Sequence, residues 1–92
     1  MLEIEFTNKM KRDARLMKKR GKDMSKLTAA IKLLACQKPM PERYCDHQLT
    51  GDLKDFRECH IEPDWLLVYQ IFKNKLILSV SGTGTHSDLF NK

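Results

Sequence analysis

Three histidines are the side chains of this 92-residue sequence best suited to chemistry, and all of them lie in its second half. They are His47, His60 and His86, and carboxyl groups stand near them at Glu58 and Asp64. An imidazole exchanges protons near neutral pH, and a neighbouring carboxylate can orient its ring and stabilise its charged form. These groups are the equipment of general acid–base catalysis, although a single histidine of this kind is commonly structural.

The first half of the chain predicts one strand followed by two helices. Apolar and acidic residues alternate over residues 2–6, which is the period of a half-buried strand. A helix can then begin at a cap on Thr7 or Asn8 and end at Gly21, and a second helix can begin at Asp23. The short link between them favours an antiparallel helical hairpin.

The second half predicts three strands after an irregular stretch that reaches about Gly51. The strand candidates are residues 53–61, 65–72 and 75–80, and the middle one is almost wholly apolar, as expected for a strand buried on both sides. The following letters, SGTGTHSDLF, predict a glycine-containing loop and a short tail. The order β-α-α-β-β-β indicates an α+β fold, in which the helical hairpin packs on a mainly antiparallel sheet.

The strand predicted over residues 53–61 directs alternate side chains to opposite faces of the sheet. Glu58 and His60 are two residues apart and share one face, whereas Cys59 points to the opposite face. The neighbouring loops could bring the other histidines to the same edge of the sheet. Cys45, His47, Cys59 and His60 are also zinc-ligand types, but the adjacent Cys59 and His60 face opposite sides and no Cys-x-x-Cys pair exists. We therefore predict neither a metal site nor a cofactor.

Positive charge is concentrated in one segment. The chain has 17 Lys and Arg against 12 Asp and Glu, a net charge of +5, yet Lys9 to Lys26 alone holds nine basic and two acidic residues. A nucleic acid is the first candidate partner, while an acidic protein or an ordinary solvated helix face would account for the same charge. The residues predicted to bind a nucleic acid such as RNA, called the basic stripe below, are Lys9, Lys11, Arg12, Arg15, Lys18, Lys19, Arg20 and Lys22.

Composition excludes several classes of protein. No apolar run approaches the roughly 20 residues of a membrane span. The N-terminus lacks the pattern of a secretory signal, and three cysteines without framework spacing indicate free thiols. We expect a cytoplasmic protein without membrane contact, with residues 1–92 forming a single domain, because two cores of this size would be too small to be stable.

Four stretches together carry a family resemblance. They are DHQLTG at 46–51, FRECHIEPDW at 56–65, LLVYQI at 66–71 and GTHSDLF at 84–90. In this combination, and over essentially the whole chain, the sequence resembles the YafQ-type branch of the RelE-like toxins from bacterial type II toxin–antitoxin systems. The resemblance implies a RelE/ParE-like fold and a ribonuclease that enters the ribosomal A site, contacts ribosomal RNA and cuts mRNA. It also implies inhibition by a cognate antitoxin, and we expect the toxin alone to be monomeric.

The resemblance also implies roles for individual residues in a metal-free reaction. The family's functional positions fall on His47, His60, Asp64, His86 and Phe90, and on Glu58 in place of a residue that is commonly Asp. His60 and His86 are the expected proton-transfer pair, in an order that the sequence leaves open. His47 would bind phosphate or act as an alternative acid. Asp64 would orient a histidine or the sugar, and Phe90 would stack on a base.

Other interpretations remain open at the level of sequence. The protein could be a non-catalytic module that binds RNA or the ribosome through its basic helices. It could be a gyrase-directed toxin of the same superfamily, although the histidine and acidic set argues against that function. A zinc-stabilised domain is the third alternative, and stoichiometric zinc in a metal analysis would support it.

Overall fold

A five-stranded sheet organises residues 1–90, the part of the chain that the structure, a computed structural model, describes. The strand order is β1-β5-β4-β3-β2, with β1 parallel to β5 and the other neighbours antiparallel. The strands are β1 (Glu3–Phe6), β2 (His47–Gln48), β3 (Arg57–Glu62), β4 (Trp65–Phe72) and β5 (Ile77–Gly84). The α+β class and the mainly antiparallel sheet are confirmed, and the short β2 is an addition to the predicted order.

The helices are α1 (Asn8–Lys19), α2 (Met24–Ala35) and α3 (His86–Phe90). The side chains of Thr7 and Asp23 each accept a backbone N–H bond of 3.0 Å at the start of α1 and α2, so Thr7 is the cap among the two candidates for α1, and the predicted cap at Asp23 is confirmed. Gly21 follows α1 with a φ of 85°, a conformation that glycine adopts without steric cost. None of the helices in residues 1–90 has both the length and the apolar character needed to cross a bilayer.

The hydrophobic core lies between the helices and one face of the sheet. Its fully buried strand residues include Trp65, Leu67, Tyr69 and Val80, which pack with buried residues of α1 and α2. The Trp65 indole N–H donates to the Thr83 hydroxyl at 2.9 Å, so its one polar group is satisfied inside the core. Trp65 is therefore a core residue, as its sequence position indicates.

Strand alternation puts a different set of residues on the opposite face of the sheet. Glu58 pairs with Val68, which pairs with Gly82, and His60 pairs with Leu66 in the next row. Paired residues of neighbouring strands point to the same side, so these residues share a face. Gly82 carries no side chain, and the side chains of Lys9, Asp13 and Leu89 lie close to it, within 3.0–3.5 Å of where a Cβ would be.

Two predicted boundaries near the site are wrong. The strand predicted over 53–61 begins only at Arg57, because Gly51–Leu53 forms a 3₁₀-helix. The strand predicted over 75–80 continues to Gly84, and α3 follows it where a loop and tail were predicted. The glycine-containing segment is a strand because it pairs with β4 along its length, a tertiary interaction that local sequence preference does not encode.

Candidate active site

One buried carboxylate stands between two histidines. Glu58 is 5% exposed, and its Oε1 lies 3.3 Å from His60 Nε2 and 3.9 Å from His47 Nε2. His60 is on the same strand two residues later, and His47 arrives from β2, where it is paired directly with Glu58. The Nδ1 of His47 is 2.6 Å from the backbone oxygen of Cys45, so this nitrogen carries a proton and Nε2 faces Glu58.

The segment before β2 is fixed by a residue that the sequence did not single out. Tyr69 of β4 donates its hydroxyl hydrogen bond to Asp46 Oδ1, and Arg57 donates to Asp46 Oδ2 at 3.0 Å. Burial, followed by the hydrogen bond to Asp46, raises the pKa of Tyr69 above its ordinary value, so the hydroxyl remains a donor. Because Asp46 directly precedes His47, these two hydrogen bonds anchor the chain next to His47.

The third histidine comes from α3. His86 Nδ1 lies 2.6 Å from Asp64 Oδ1, and the His86 backbone N–H donates to the same oxygen at 2.9 Å. The pKa of Asp64 is held below its usual value, chiefly by the hydrogen bond from the His86 backbone and next by the hydrogen bond from the His86 imidazole. Asp64 lies in the tight turn between β3 and β4, so one carboxylate joins that turn to the start of α3.

The three imidazoles form a row with His60 in the middle. Its ring centroid is 5.7 Å from that of His86 and 6.3 Å from that of His47. Five of the six residues singled out in the sequence are therefore brought together. Glu58 lies beside His60 and His47, and Asp64 lies beside His86. A phosphate group of an RNA chain could contact more than one imidazole at this spacing.

The sixth residue, Phe90, is the last residue of α3, the helix that begins with His86. It is half-buried at the end of α3 and lines an apolar groove with Leu53, Phe56 and Val68. Lys9 reaches the rim of the same groove. Leu53 and Phe56 were not recognised from the sequence, and the only available signal was the occurrence of two large apolar residues in an otherwise polar segment.

The residues that could together hold a metal ion differ from the four zinc-ligand types considered in the sequence. One ligand atom each of Glu58, His60 and His86 lie within 4.8 Å of one another, so these three residues could hold a metal ion. The sequence-based set is not assembled, because Cys59 is completely buried in the core on the other side of the sheet. Burial raises the pKa of the Cys59 thiol to about 12, in keeping with its place inside the core.

The basic stripe divides into two groups. Three of its members form ion pairs: Lys9 with Asp13 at 2.6 Å, Arg20 with Asp88 at 2.6 Å and Lys22 with Glu62 at 3.1 Å. Within residues 1–90, the other five are exposed side chains that form no ion pair, and they are Lys11, Arg12, Arg15, Lys18 and Lys19. Among the members of the basic stripe, only this second group has no carboxylate partner within residues 1–90.

Comparison with known proteins identifies the class to which this fold and site belong. A family model described as "Bacterial toxin of type II toxin-antitoxin system, YafQ" matches residues 2–91. The protein of Escherichia coli K12 named mRNA interferase toxin YafQ is 40% identical over 89 residues, which are 96% of this chain and 95% of that protein. The chain is a toxin of the type II toxin–antitoxin class, as its sequence motifs indicate. It belongs to the YafQ toxin family.

Solved structures agree with this assignment. A metal-bound toxin from Helicobacter pylori is 46% identical, with a TM-score of 0.93 and coverage of 98% of this chain and 100% of that one. YafQ from Escherichia coli BL21(DE3) is 38% identical, with a TM-score of 0.90 and coverage of 98% and 99%. YafQ in the Escherichia coli DinJ–YafQ complex is 40% identical, with a TM-score of 0.88 and the same coverage.

Proposed function

We propose that this toxin is a ribosome-dependent endoribonuclease that cleaves mRNA by histidine acid–base catalysis without a metal ion. The observation that carries the proposal is the row of three imidazoles, 5.7 and 6.3 Å apart, supported by two carboxylates. The relative from Escherichia coli K12 is named an mRNA interferase toxin, which supports mRNA as the substrate. Such a toxin acts in the cytoplasm, where the ribosomes are.

The reaction that suits these groups needs two proton transfers. The ribose 2′-oxygen forms a bond to the adjacent phosphorus, and the bond from phosphorus to the 5′-oxygen breaks. A base takes the proton from the 2′-hydroxyl, and an acid gives a proton to the leaving 5′-oxygen. The products are a 2′,3′-cyclic phosphate and a 5′-hydroxyl. Each positioned acid or base contributes roughly 10²–10⁴-fold to the rate.

His86 is the base in this mechanism. Asp64 accepts the hydrogen bond from its Nδ1–H, so the neutral ring keeps its lone pair on Nε2. The carboxylate also stabilises the imidazolium that forms when Nε2 takes the 2′-proton. The second bond from the His86 backbone to Asp64 fixes the position of the ring relative to the turn.

His60 is the acid, because its Nε2 lies 3.3 Å from Oε1 of the buried Glu58, which fixes the orientation of the ring beside the other two imidazoles. That ring can donate one N–H to Glu58 and the other to the leaving oxygen. His47 lies on the other side of Glu58 and supplies a second imidazole for the phosphate oxygens. Charge placed where the phosphorane develops its negative charge stabilises the transition state.

Binding is assigned to other parts of the molecule. The five unpaired cations of the basic stripe would contact ribosomal RNA, since a polyanion is attracted by exposed positive charge. Phe90 would stack on a base of the message next to the histidine row, in the groove that it lines. A cognate antitoxin would inhibit this toxin, as the complex of Escherichia coli YafQ with DinJ suggests, and the free toxin would be a monomer.

Primer extension on translating ribosomes tests the proposed activity. Purified wild-type toxin should create new 5′ ends inside codons of ribosome-bound message. Ribosome binding without new ends would support the non-catalytic binding module instead. Inhibition of gyrase supercoiling without RNA cleavage would support the gyrase-directed toxin.

A message with a bridging 5′-phosphorothiolate at the cleavage site tests the order of the two histidines. A thiolate leaves without protonation, so the sulfur substrate should restore cleavage by His60→Ala while His86→Ala stays slow. The two single variants serve as controls for each other, because both alter the same row. Restoration of His86→Ala instead of His60→Ala would reverse the assignment of base and acid.

A further inference from the structure

Arg20 is a member of the basic stripe whose charge is already engaged by a distant part of the chain. Its Nη1 donates to Asp88 Oδ2 at 2.6 Å, and its Nη2 donates to Asp88 Oδ1 at 3.2 Å. The two residues are 68 positions apart in sequence. Two parallel N–H···O bonds between a guanidinium and a carboxylate fix orientation as well as distance, which a single bond does not.

Asp88 also holds the beginning of α3 together. Its Oδ2 accepts from the Thr85 backbone N–H at 2.9 Å, and its own backbone N–H donates to the Thr85 hydroxyl at 3.0 Å. This reciprocal pair is a capping box with Asp in the place of the usual Glu. The pKa of Asp88 is held well below its ordinary value, chiefly by the hydrogen bond from Arg20 and next by the hydrogen bond from the Thr85 backbone N–H.

The helix that these contacts hold needs external support. α3 has five residues and none of them is fully buried, so neither its length nor the packing of its half-buried Leu89 and Phe90 is sufficient to fix its orientation. Gly84 permits the close approach, since a Cβ there would lie 2.8 Å from the Cβ of Asp88. Two side chains from outside α3 form polar contacts with it: Asp64 with His86, and Arg20 with Asp88.

We propose that Arg20 is a positioning residue that orients α3, and with it His86 and Phe90, rather than a cation that binds the ribosome. The inference rests on the proposed ribonuclease function, because His86 and Phe90 are the groups that α3 presents. Arg20 lies at the end of α1, so the pair also connects the basic stripe directly to the histidine row.

A positioning role and a binding role give opposite results in three variants. Arg20→Ala removes the pair, Arg20→Lys keeps the charge without the planar fork, and Asp88→Asn keeps an oxygen to cap α3 without the charge. A cation that binds RNA tolerates lysine, whereas a two-point hydrogen-bonded pair does not. If Arg20 served the ribosome, Asp88→Asn would free it and tighten binding.

Single-turnover cleavage on saturating ribosome complexes is the first measurement, with ribosome affinity measured in parallel. Each of the three variants should cut roughly 10- to 100-fold more slowly, as expected when a catalytic group is displaced by about 1 Å. The double variant Arg20→Ala/Asp88→Asn should be no slower than the slower single variant, because all of these substitutions break the same ion pair. Lys32→Ala removes an exposed cation of α2 outside the basic stripe and should cut at the wild-type rate.

Hydrogen exchange provides a measurement that does not depend on catalysis. The Leu89 N–H donates to the Thr85 oxygen at 3.1 Å inside α3, so its exchange should be faster in Arg20→Ala and Asp88→Asn, and unchanged in Lys32→Ala. If the wild type cuts no message while the Leu89 amide behaves in this way, the ribonuclease function fails and the orientation of α3 by Arg20 stands. Wild-type cleavage by Arg20→Lys, or tighter ribosome binding by Asp88→Asn without a change at Leu89, would overturn the proposal.

Discussion

The basic stripe and the histidine row are built on opposite principles. Five stripe residues are exposed and form no ion pair within residues 1–90. Each imidazole of the row, by contrast, has a hydrogen-bond or ion-pair partner between 2.6 and 3.9 Å away. Long-range attraction needs only the sign and density of charge, whereas proton transfer needs atoms held at fixed separations. Substitutions in the two regions should therefore differ in kind as well as in size.

The largest effect is expected in the histidine row. His86→Ala should lower single-turnover cleavage by roughly 10²–10⁴-fold, because the reaction loses its base. Ribosome affinity should be unchanged, since His86 is not in the basic stripe, and a thermal unfolding scan checks that the fold is intact. Wild-type cleavage by this variant would show that the base lies elsewhere.

Glu58 is expected to come next. Glu58→Gln replaces the buried carboxylate that contacts both His60 and His47, and cleavage should fall by roughly 100-fold because the two imidazoles are no longer held in position. Glu58→Asp keeps the charge but shortens the side chain by one methylene group, so it should be intermediate. A rate for Glu58→Gln that equals that of Glu58→Asp would mean that the charge of this carboxylate is unimportant.

A smaller effect, and one on binding alone, is expected from Lys18 and Lys19. Changing both to glutamine should weaken ribosome binding several-fold and reduce the slope of log affinity against log salt by up to about one for each phosphate that is no longer neutralised. Cleavage at saturating ribosome concentration should stay at the wild-type rate. An unchanged salt slope would indicate that this part of the basic stripe is a solvated face or serves only the antitoxin.

The ion pair between the two regions should have a modest effect on stability that depends on pH. Asp88 has a lowered pKa in the folded protein, so its ion pair stabilises the fold above about pH 4, the ordinary value of an aspartate, and loses that effect as the pH falls further. Asp88→Asn should lower Tm at pH 6 by less than about 5 °C, as expected for an exposed pair. The difference from the wild type should shrink towards pH 2, and a constant difference across this range would contradict the linkage.

No loss of activity is expected when metal ions are removed. EDTA-treated toxin should cut at the untreated rate, because the proposed base and acid are imidazoles. Added Zn²⁺ should slow cleavage, since an ion on Glu58, His60 and His86 would occupy the lone pairs that move protons. The metal-bound toxin from Helicobacter pylori provides a related protein for the same measurement. Activity that EDTA abolishes and one metal restores would contradict the metal-free reaction.

Sequence patterns predicted the features of this protein that depend on residues close together in the chain. The cap at Asp23 and the stop at Gly21 depend on a few neighbouring residues and follow from the sequence, which also limited the cap of α1 to Thr7 or Asn8. The apolar run over 65–72 coincides with β4. Strand alternation was sufficient to place Glu58 beside His60 and to turn Cys59 away, because that rule needs no information about the rest of the fold.

Contacts between distant segments decided the remainder. The glycine-containing segment becomes the end of β5 only because β4 pairs with it. The short helix α3 forms hydrogen bonds with Asp64 and Arg20, which are both distant in sequence. From sequence, Arg20 was one of eight similar cations; its distinct environment arises from a residue 68 positions away. The sequence by itself determined the chemical groups, the helix limits and the face of β3 that carries them. Tertiary structure decided which groups meet, since long-range pairing depends on the packing of the whole sheet rather than on local preference.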